Sequence, residues 1–283
     1  MKISAISIYP LKSARGIDLI HADVLPRGLV GDRIMMLVSP SGAFLTQREI
    51  PALARVQARE DGGHYHLGFD NHRSLHLSQR DFSQRKSVTV WRSTVDVVIA
   101  NEETNSTLST WFGQPLELAL FDDQAHRTAN EQWAGPNTPI TFTDGYQVLI
   151  TNTASLAALN ADMAAYGEGS IGMDRFRANI VIDCDQPWAE DQWASLSIGG
   201  IIFDLVKPCS RCIITTQDQT TGSRDQPSPM AAMGRMRMSA DPRVRGVLFG
   251  WNAVPRAHGV IRVGDTADVL HLRTDGIPLK QRG

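Results

Sequence analysis

Leu196-Ser197-Ile198-Gly199-Gly200-Ile201-Ile202-Phe203 sets two apolar runs around a Gly-Gly pair, the pattern of a tight β-hairpin. Its second run leads into Val206-Lys207-Pro208-Cys209-Ser210-Arg211-Cys212-Ile213-Ile214-Thr215-Thr216, which holds two of the three cysteines. Proline confines the residue before it to extended conformations, and Ile-Ile-Thr-Thr favours a strand. The spacing therefore predicts a bend between two strands, with a thiolate placed where it can be aimed at a ligand.

Outward from this hairpin the chain is punctuated by short extended runs. Residues 2–9, 24–25, 34–38, 44–48, 64–67, 74–77, 87–91 and 95–99 read as strands separated by glycine and polar turns. Many short strands at close spacing predict a barrel or sandwich. Residues 103–112 and 154–166 carry helical apolar stripes, each followed by a glycine stop (Gly113 and Gly167). Residues 148–151 and 180–182 are further strands, and 259–272 reads as a last hairpin turning at Gly264-Asp265. Residues 124–139 read as a linker or long loop. Residues 223–246, with five arginines against two aspartates, read as a long basic loop. The expected fold is mainly β (α+β): a β-barrel-like domain over 1–122, a second β-barrel domain with a few helices over 123–272, and a tail over 273–283.

Composition narrows the function. With 42% hydrophobic and 20% charged residues, the chain has the make-up of a water-soluble globular protein. A net charge of −2 argues against a nucleic-acid binder driven by bulk electrostatics and against a polybasic membrane anchor. No apolar run approaches the ~18–20 residues of a membrane span. Residues 1–13 lack the apolar core and cleavage site of a signal peptide. Three cysteines cannot all pair, so a reducing cytoplasm is expected.

The cysteine bend admits several chemistries. A redox Cys-x-x-Cys usually opens a helix, whereas the residues after Cys212 favour a strand. A structural zinc site needs four ligands, and only Cys184 and a histidine could complete it. Either cysteine can also pack as a small hydrophobe. The remaining reading is a thiolate on a soft metal or metal cofactor, with Arg211 and Lys207 adding positive charge beside it. An anionic part of such a ligand would be held by basic forks and turn N–H groups. Lys12-Ser13, Arg33 and Arg177 each lie at a strand–turn junction and could supply them.

Ile8-Tyr9-Pro10-Leu11-Lys12-Ser13, Gly31-Asp32-Arg33 and Thr46-Gln47-Arg48 resemble the N-terminal β-barrel domain that precedes MOSC domains. Phe176-Arg177-Ala178-Asn179-Ile180, Lys207-Pro208-Cys209-Ser210-Arg211-Cys212 and Leu248-Phe249-Gly250 resemble the MOSC domain itself. The combination resembles the amidoxime-reducing molybdenum enzymes. That resemblance implies a molybdenum cofactor (Mo-molybdopterin) with Cys212 as the metal ligand and Cys209 not ligating. It places cofactor contacts on Lys12, Ser13, Arg33, Arg177, Asn179, Ser210, Arg211 and Asn252. A further contact falls at Gly145-Tyr146, where the resembling proteins have small hydroxyl residues; Tyr146 is carried as that position.

The implied chemistry is two-electron reduction of an N–O bond in amidoximes or N-hydroxylated bases, a detoxifying reaction. The molybdenum serves as oxygen acceptor and electron relay, and Asp144 or Asp218 could help with protons. The chain has no cysteine beyond Cys212, so no Cys₄ iron–sulfur cluster is expected, and a separate flavoprotein, cytochrome or ferredoxin would supply electrons. The basic loop is a candidate docking surface or substrate lid. Two other functions stay open: a molybdenum cofactor carrier without turnover, and a sulfur carrier using a persulfide on Cys212.

Overall fold

The computed structural model describes residues 1–280. The hairpin that opened the sequence reading forms as read: strands Trp193–Ile198 and Ile201–Ser210 pair antiparallel, turning at Gly199 (φ 56°) and Gly200 (φ 80°). They sit near one end of an eight-stranded sheet. In that sheet Ile201–Ser210 pairs next with Leu248–Pro255, then Val148–Asn152 and Ile180–Asp183 follow. The first strand of the chain, Lys2–Ile8, is hydrogen-bonded to Ile180–Asp183, so residues distant in sequence share one sheet. Alternate residues along these strands form a core of Ile3, Ile6, Val148, Ile150, Ile180, Ile182, Leu196, Phe203 and Trp251. The period-two burial of a half-exposed sheet is the cause.

The remaining strands of the first part make smaller curled sheets. Met35–Val38, Glu117–Leu120, Ser93–Ala100 and Phe82–Val90 form one, and Gln57–Asp61, His64–Gly68 and Leu75–Ser78 another. Helix Glu102–Phe112 is capped by the Asn101 side chain on Thr104 N–H and ends at Gly113 in the left-handed region. It buries Leu108 and Trp111 against this part's core. The mainly β architecture is the one expected.

Four local expectations are corrected. Ile213–Thr216 is a 3₁₀ turn, not a strand. The Thr215 hydroxyl donates to Cys212 O (2.9 Å) and the Thr216 hydroxyl to Ile213 O (2.8 Å). These local bonds outweigh the β preference of the side chains. Residues 259–272 are not a hairpin: Gly259–Arg262 pairs with His21–Leu25, while Ala267–Leu272 pairs with Trp193–Ile198. The stretch 124–139 contains a short helix, Glu131–Ala134.

The stretch 223–246 contains the helix Met230–Met236, whose Met233 and Ala232 pack with Leu159 and Met163 of helix Thr153–Ala165. Most of its arginines are engaged: Arg235 grips Asp162 and Glu168, Arg237 grips Asp191, and Arg243 grips Asp241. Of the tail, residues 273–280 are tied down, with Lys280 N–H donating to Met238 O and Ala240 N–H to Pro278 O; its last three positions lie outside the described residues.

Candidate active site

Strand Ile201–Ser210 carries the cysteine bend. Beyond Asp204 the strand is paired on one side only, an edge position of the kind that tolerates Pro208. Register shifts against Leu248–Pro255 at 205/207 and 208/210 turn the strand's end inward. Arg211 N–H then donates to Val247 O, and Cys212 opens the 3₁₀ turn. The bend rests on Phe176 and Phe249, both buried and stacked at 3.7 Å with a 10° interplanar angle.

The bend faces a cleft of about 800 Å³, counting its open mouth. Eleven of the twelve residues singled out from sequence line it: Lys12, Ser13, Arg33, Asp144, Tyr146, Arg177, Asn179, Ser210, Arg211, Cys212 and Asn252. Asp218 does not. Its carboxylate accepts N–H bonds from Thr220 (2.9 Å) and Thr221 (2.7 Å), so it closes a turn away from the cavity. Cys209 also lines the cleft but packs on Leu149, Ala178 and Val181, and its sulfur accepts from Arg211 Nη1 at 2.9 Å. All three cysteines are free thiols.

Three of the lining residues stand in the left-handed region: Ser13 (φ 67°), Arg33 (φ 49°) and Arg177 (φ 53°). Each costs on the order of 1 kcal/mol or more for a side chain with a Cβ, and such strain clusters where function needs it. The turns hold because their surroundings over-determine them. Lys12 N–H bonds Met35 O, Arg33 N–H bonds Tyr9 O, and Arg177 N–H bonds Asp174 O.

Buried Asp32 accepts from Tyr9 N–H (2.8 Å) and from Arg33 Nη1 (2.6 Å). Arg33 also donates to Asn179 Oδ1 (3.0 Å) and Arg177 O (3.3 Å). Asn179 in turn accepts from Leu149 N–H and donates to Ser7 O, so it ties three strands to one arginine. Both guanidinium groups lie over the Tyr9 ring, at 4.3 Å and 4.1 Å from its centroid. Arg177 donates to Ala14 O and to Gln219 Oε1, which Gln47 also holds.

The electrostatics are one-sided. Lys12, Arg33, Arg48, Arg177 and Arg211 face the cleft against one lining carboxylate, Asp144, in a chain whose net charge is −2. Burial pulls Arg177 down to about 10, with Arg33 adding repulsion and Tyr9 opposing it. Burial likewise lowers Lys12, opposed by Asp144. For Asp144, burial in the cleft would raise the pKa. Lys12 at 2.5 Å and the Trp91 indole N–H at 3.1 Å outweigh it and hold the carboxyl well below its usual range. The Asp144 side chain is still 70% exposed, so water weakens the pair. Asp144 therefore stands as a counter-charge to Lys12 on the wall of the cleft.

Sequence reasoning missed Arg48 as a site residue. Its Nη2 lies 3.1 Å from Cys212 Sγ, and its guanidinium is 5.0 Å from the Trp91 ring centroid. The signal was present in Thr46-Gln47-Arg48, but nothing in that tripeptide says that it meets a cysteine 164 residues away. Thr143 also escaped notice; among the described residues its buried hydroxyl has no partner, and neither does Arg211 Nε. Orphaned donors on the wall of a cationic cleft mark where an anionic ligand would complete the bonding.

Two families match this chain: the MOSC N-terminal beta barrel domain over residues 1–115 and the MOSC domain over residues 137–268. The mitochondrial amidoxime-reducing component 1 of Homo sapiens is 29% identical over 286 residues, covering 95% of this chain and 82% of that protein. The mitochondrial amidoxime reducing component 2 of Rattus norvegicus is 27% identical over 282 residues, covering 93% and 81%. The molybdenum cofactor sulfurase of Homo sapiens is 28% identical over 244 residues, covering 79% of this chain and 27% of that much longer protein. Among the described residues no helix is long and apolar enough to cross a membrane. The matched regions carry the strained arginines, the cysteine bend and the strands that bring them together, and the chain is a MOSC-domain protein with a MOSC N-terminal beta barrel domain.

Proposed function

We propose that this protein is a molybdenum-cofactor-dependent reductase of N-hydroxylated compounds, drawing electrons from a separate redox protein. The observation that supports it best is the cleft itself: a free cysteine thiol beside five cationic side chains and unpartnered donors, faced by one carboxylate. That donor set fits a cofactor with a thiophilic metal at one end and anionic oxygens elsewhere. Cys212 would hold the metal. Arg33, Arg177, Lys12 and Arg211 would hold the anionic groups with Ser13 and Ser210, while Asn179 fixes Arg33. When bound, molybdenum supplies oxygen acceptance and two-electron chemistry that no side chain offers.

The chain's own residues do the rest. Arg48 places its guanidinium 3.1 Å from the Cys212 sulfur, beside the atom that would hold the metal. Asp144 orients Lys12 through their ion pair and opposes the lowering of its pKa by burial. Phe176 and Phe249 give the bend a rigid floor.

The test has two stages. Protein from a molybdopterin-competent host is analysed for molybdenum and pterin, with about one metal per chain expected for a single-thiolate site. Cys212→Ser should lose the metal, while Cys209→Ser keeps most of it. Equal loss from both would point to a dithiol site. The loaded protein is then given benzamidoxime and an artificial electron donor. Loaded protein that reduces no N-hydroxylated compound would favour a cofactor carrier.

A further inference from the structure

A second cleft, of about 1490 Å³ counting its open mouth, opens beside the first and shares with it a wall of Asp144, Tyr146, Cys209, Ser210 and Asn252. Its rim is Trp91-Arg92, the two-residue turn joining strands Phe82–Val90 and Ser93–Ala100, where Val90 pairs with Ser93. Such turns favour Asn-Gly, because their central residues need positive φ. Here a bulky tryptophan takes φ 55°, a conformation its side chain disfavours. Trp91 is 44% exposed, its ring flanked by Phe44 and by the Arg48 guanidinium, each at 5.0 Å, and its indole N–H bonded to Asp144. A turn built from the wrong residues for its geometry is a sign of function rather than folding.

The charges in this cleft point the same way. Arg127 is only 8% exposed; Nη1 donates to Thr141 O and Thr143 O, and among the described residues it touches no carboxylate and its buried Nε has no partner. Burial pulls its pKa down to about 10, with the charge of Asp144 opposing the shift in part. Lys207 lies over the Trp133 ring at 5.5 Å, and neither it nor Arg92 pairs with a carboxylate among the described residues. Asp144, the one acid on the cleft, is held by Lys12. Two unpaired cations, Arg92 and Lys207, with the positive charge of Arg127 behind them, suit a dianion better than a single negative charge, and the exposed tryptophan suits a planar ring.

We propose that this cleft binds the phosphate of a substrate whose planar ring lies against Trp91, so that phosphorylated N-hydroxylated nucleosides are preferred to uncharged ones. The ring's N-hydroxyl group would then face the first cleft across the shared wall. The choice of an N-hydroxylated ring rests on the reductase reading; the anion site does not.

The test therefore separates binding from turnover. Cofactor-loaded protein is titrated calorimetrically with cytidine monophosphate, cytidine and inorganic phosphate. The monophosphate should bind about tenfold or more tighter than cytidine, the scale of one or two charge-assisted hydrogen bonds. Inorganic phosphate should be weaker than the monophosphate. The double variant Arg92→Gln, Lys207→Gln should abolish the difference. Trp91→Gly should weaken nucleoside binding while raising the melting temperature, because it relieves the turn.

In turnover, N-hydroxycytidine monophosphate should exceed N-hydroxycytidine in kcat/KM by a similar factor. Equal affinities, or monophosphate binding indifferent to the double variant, overturn the proposal. Reduction of both substrates without preference refutes this inference and leaves the reductase reading intact. Preferential binding with no reduction of either refutes that reading and leaves the anion site standing.

Discussion

Asp32→Asn is the sharpest probe of how the cationic cleft is held together. Asp32 is 2% exposed, and its two carboxylate oxygens accept from Tyr9 N–H at 2.8 Å and Arg33 Nη1 at 2.6 Å. Arg33 and Arg177 lie over the same tyrosine ring, so Asp32 is the negative charge that lets two like charges sit together. Removing one partner of a buried pair costs about 3–5 kcal/mol. Arg33 keeps Asn179 Oδ1 and Arg177 O, and its side chain is 15% exposed, which places the loss near the lower end, about 3 kcal/mol.

For a domain of this size that corresponds to roughly 6–10 °C in melting temperature. The assay is a thermal melt of the unloaded protein at low ionic strength, repeated with increasing phosphate. Anion binding should recover part of the loss, because it supplies the counter-charge that Asn lacks. A melting temperature within about 2 °C of wild type, a change of under 1 kcal/mol, would refute the account of Asp32 as the charge that holds the cluster.

Other perturbations test other parts of the structure. At Gly250 (φ 74°) an added Cβ would lie 2.7 Å from Thr151 Cγ2 and 2.9 Å from Ile150 O, so Gly250→Ala should cost about 3 kcal/mol in urea unfolding; a loss below about 1 would mean the strand shifts freely. Asp144 has a depressed folded pKa, so its contribution is present above its ordinary value of 3.8 and fades as pH falls below it. The stability difference between wild type and Asp144→Asn should thus be flat from about pH 5 to 8 and shrink in more acid solution, and a difference that grows there would contradict the ion pair. Burial pushes Tyr9 and Tyr146 up to about 12, so an absorbance titration should find both still protonated near pH 11 and Tyr9→Phe should remove one late step.

The cysteine bend shows where sequence reading ends. Alternation of apolar residues in Leu196–Phe203 and the Gly-Gly pair made that hairpin legible, because strand period and turn chemistry are local. Helices 103–112 and 154–166 were legible for the same reason: a 3.6-residue stripe and a glycine stop need only their own segment. The 3₁₀ turn at Ile213–Thr216 was not, since two hydroxyl-to-carbonyl bonds overrode a β-branched run. Nor was the parting of 259–272 into two sheets, which depends on where His21–Leu25 and Trp193–Ile198 lie.

For the site, sequence alone determined the kinds of residue: a cysteine flanked by cations, and basic residues at strand–turn junctions, chemistry that spacing and charge express locally. Only the tertiary structure decided which of them meet. Pairing of Lys2–Ile8 with Ile180–Asp183 carries Lys12, Ser13 and Arg33 to Arg177 and Asn179, and the cleft brings Arg48 to Cys212. Asp144 and Asp218 look alike in sequence. Asp144 ends beside Lys12 and Asp218 in a turn of its own, because a carboxylate's role is set by the charges and donors that folding places around it.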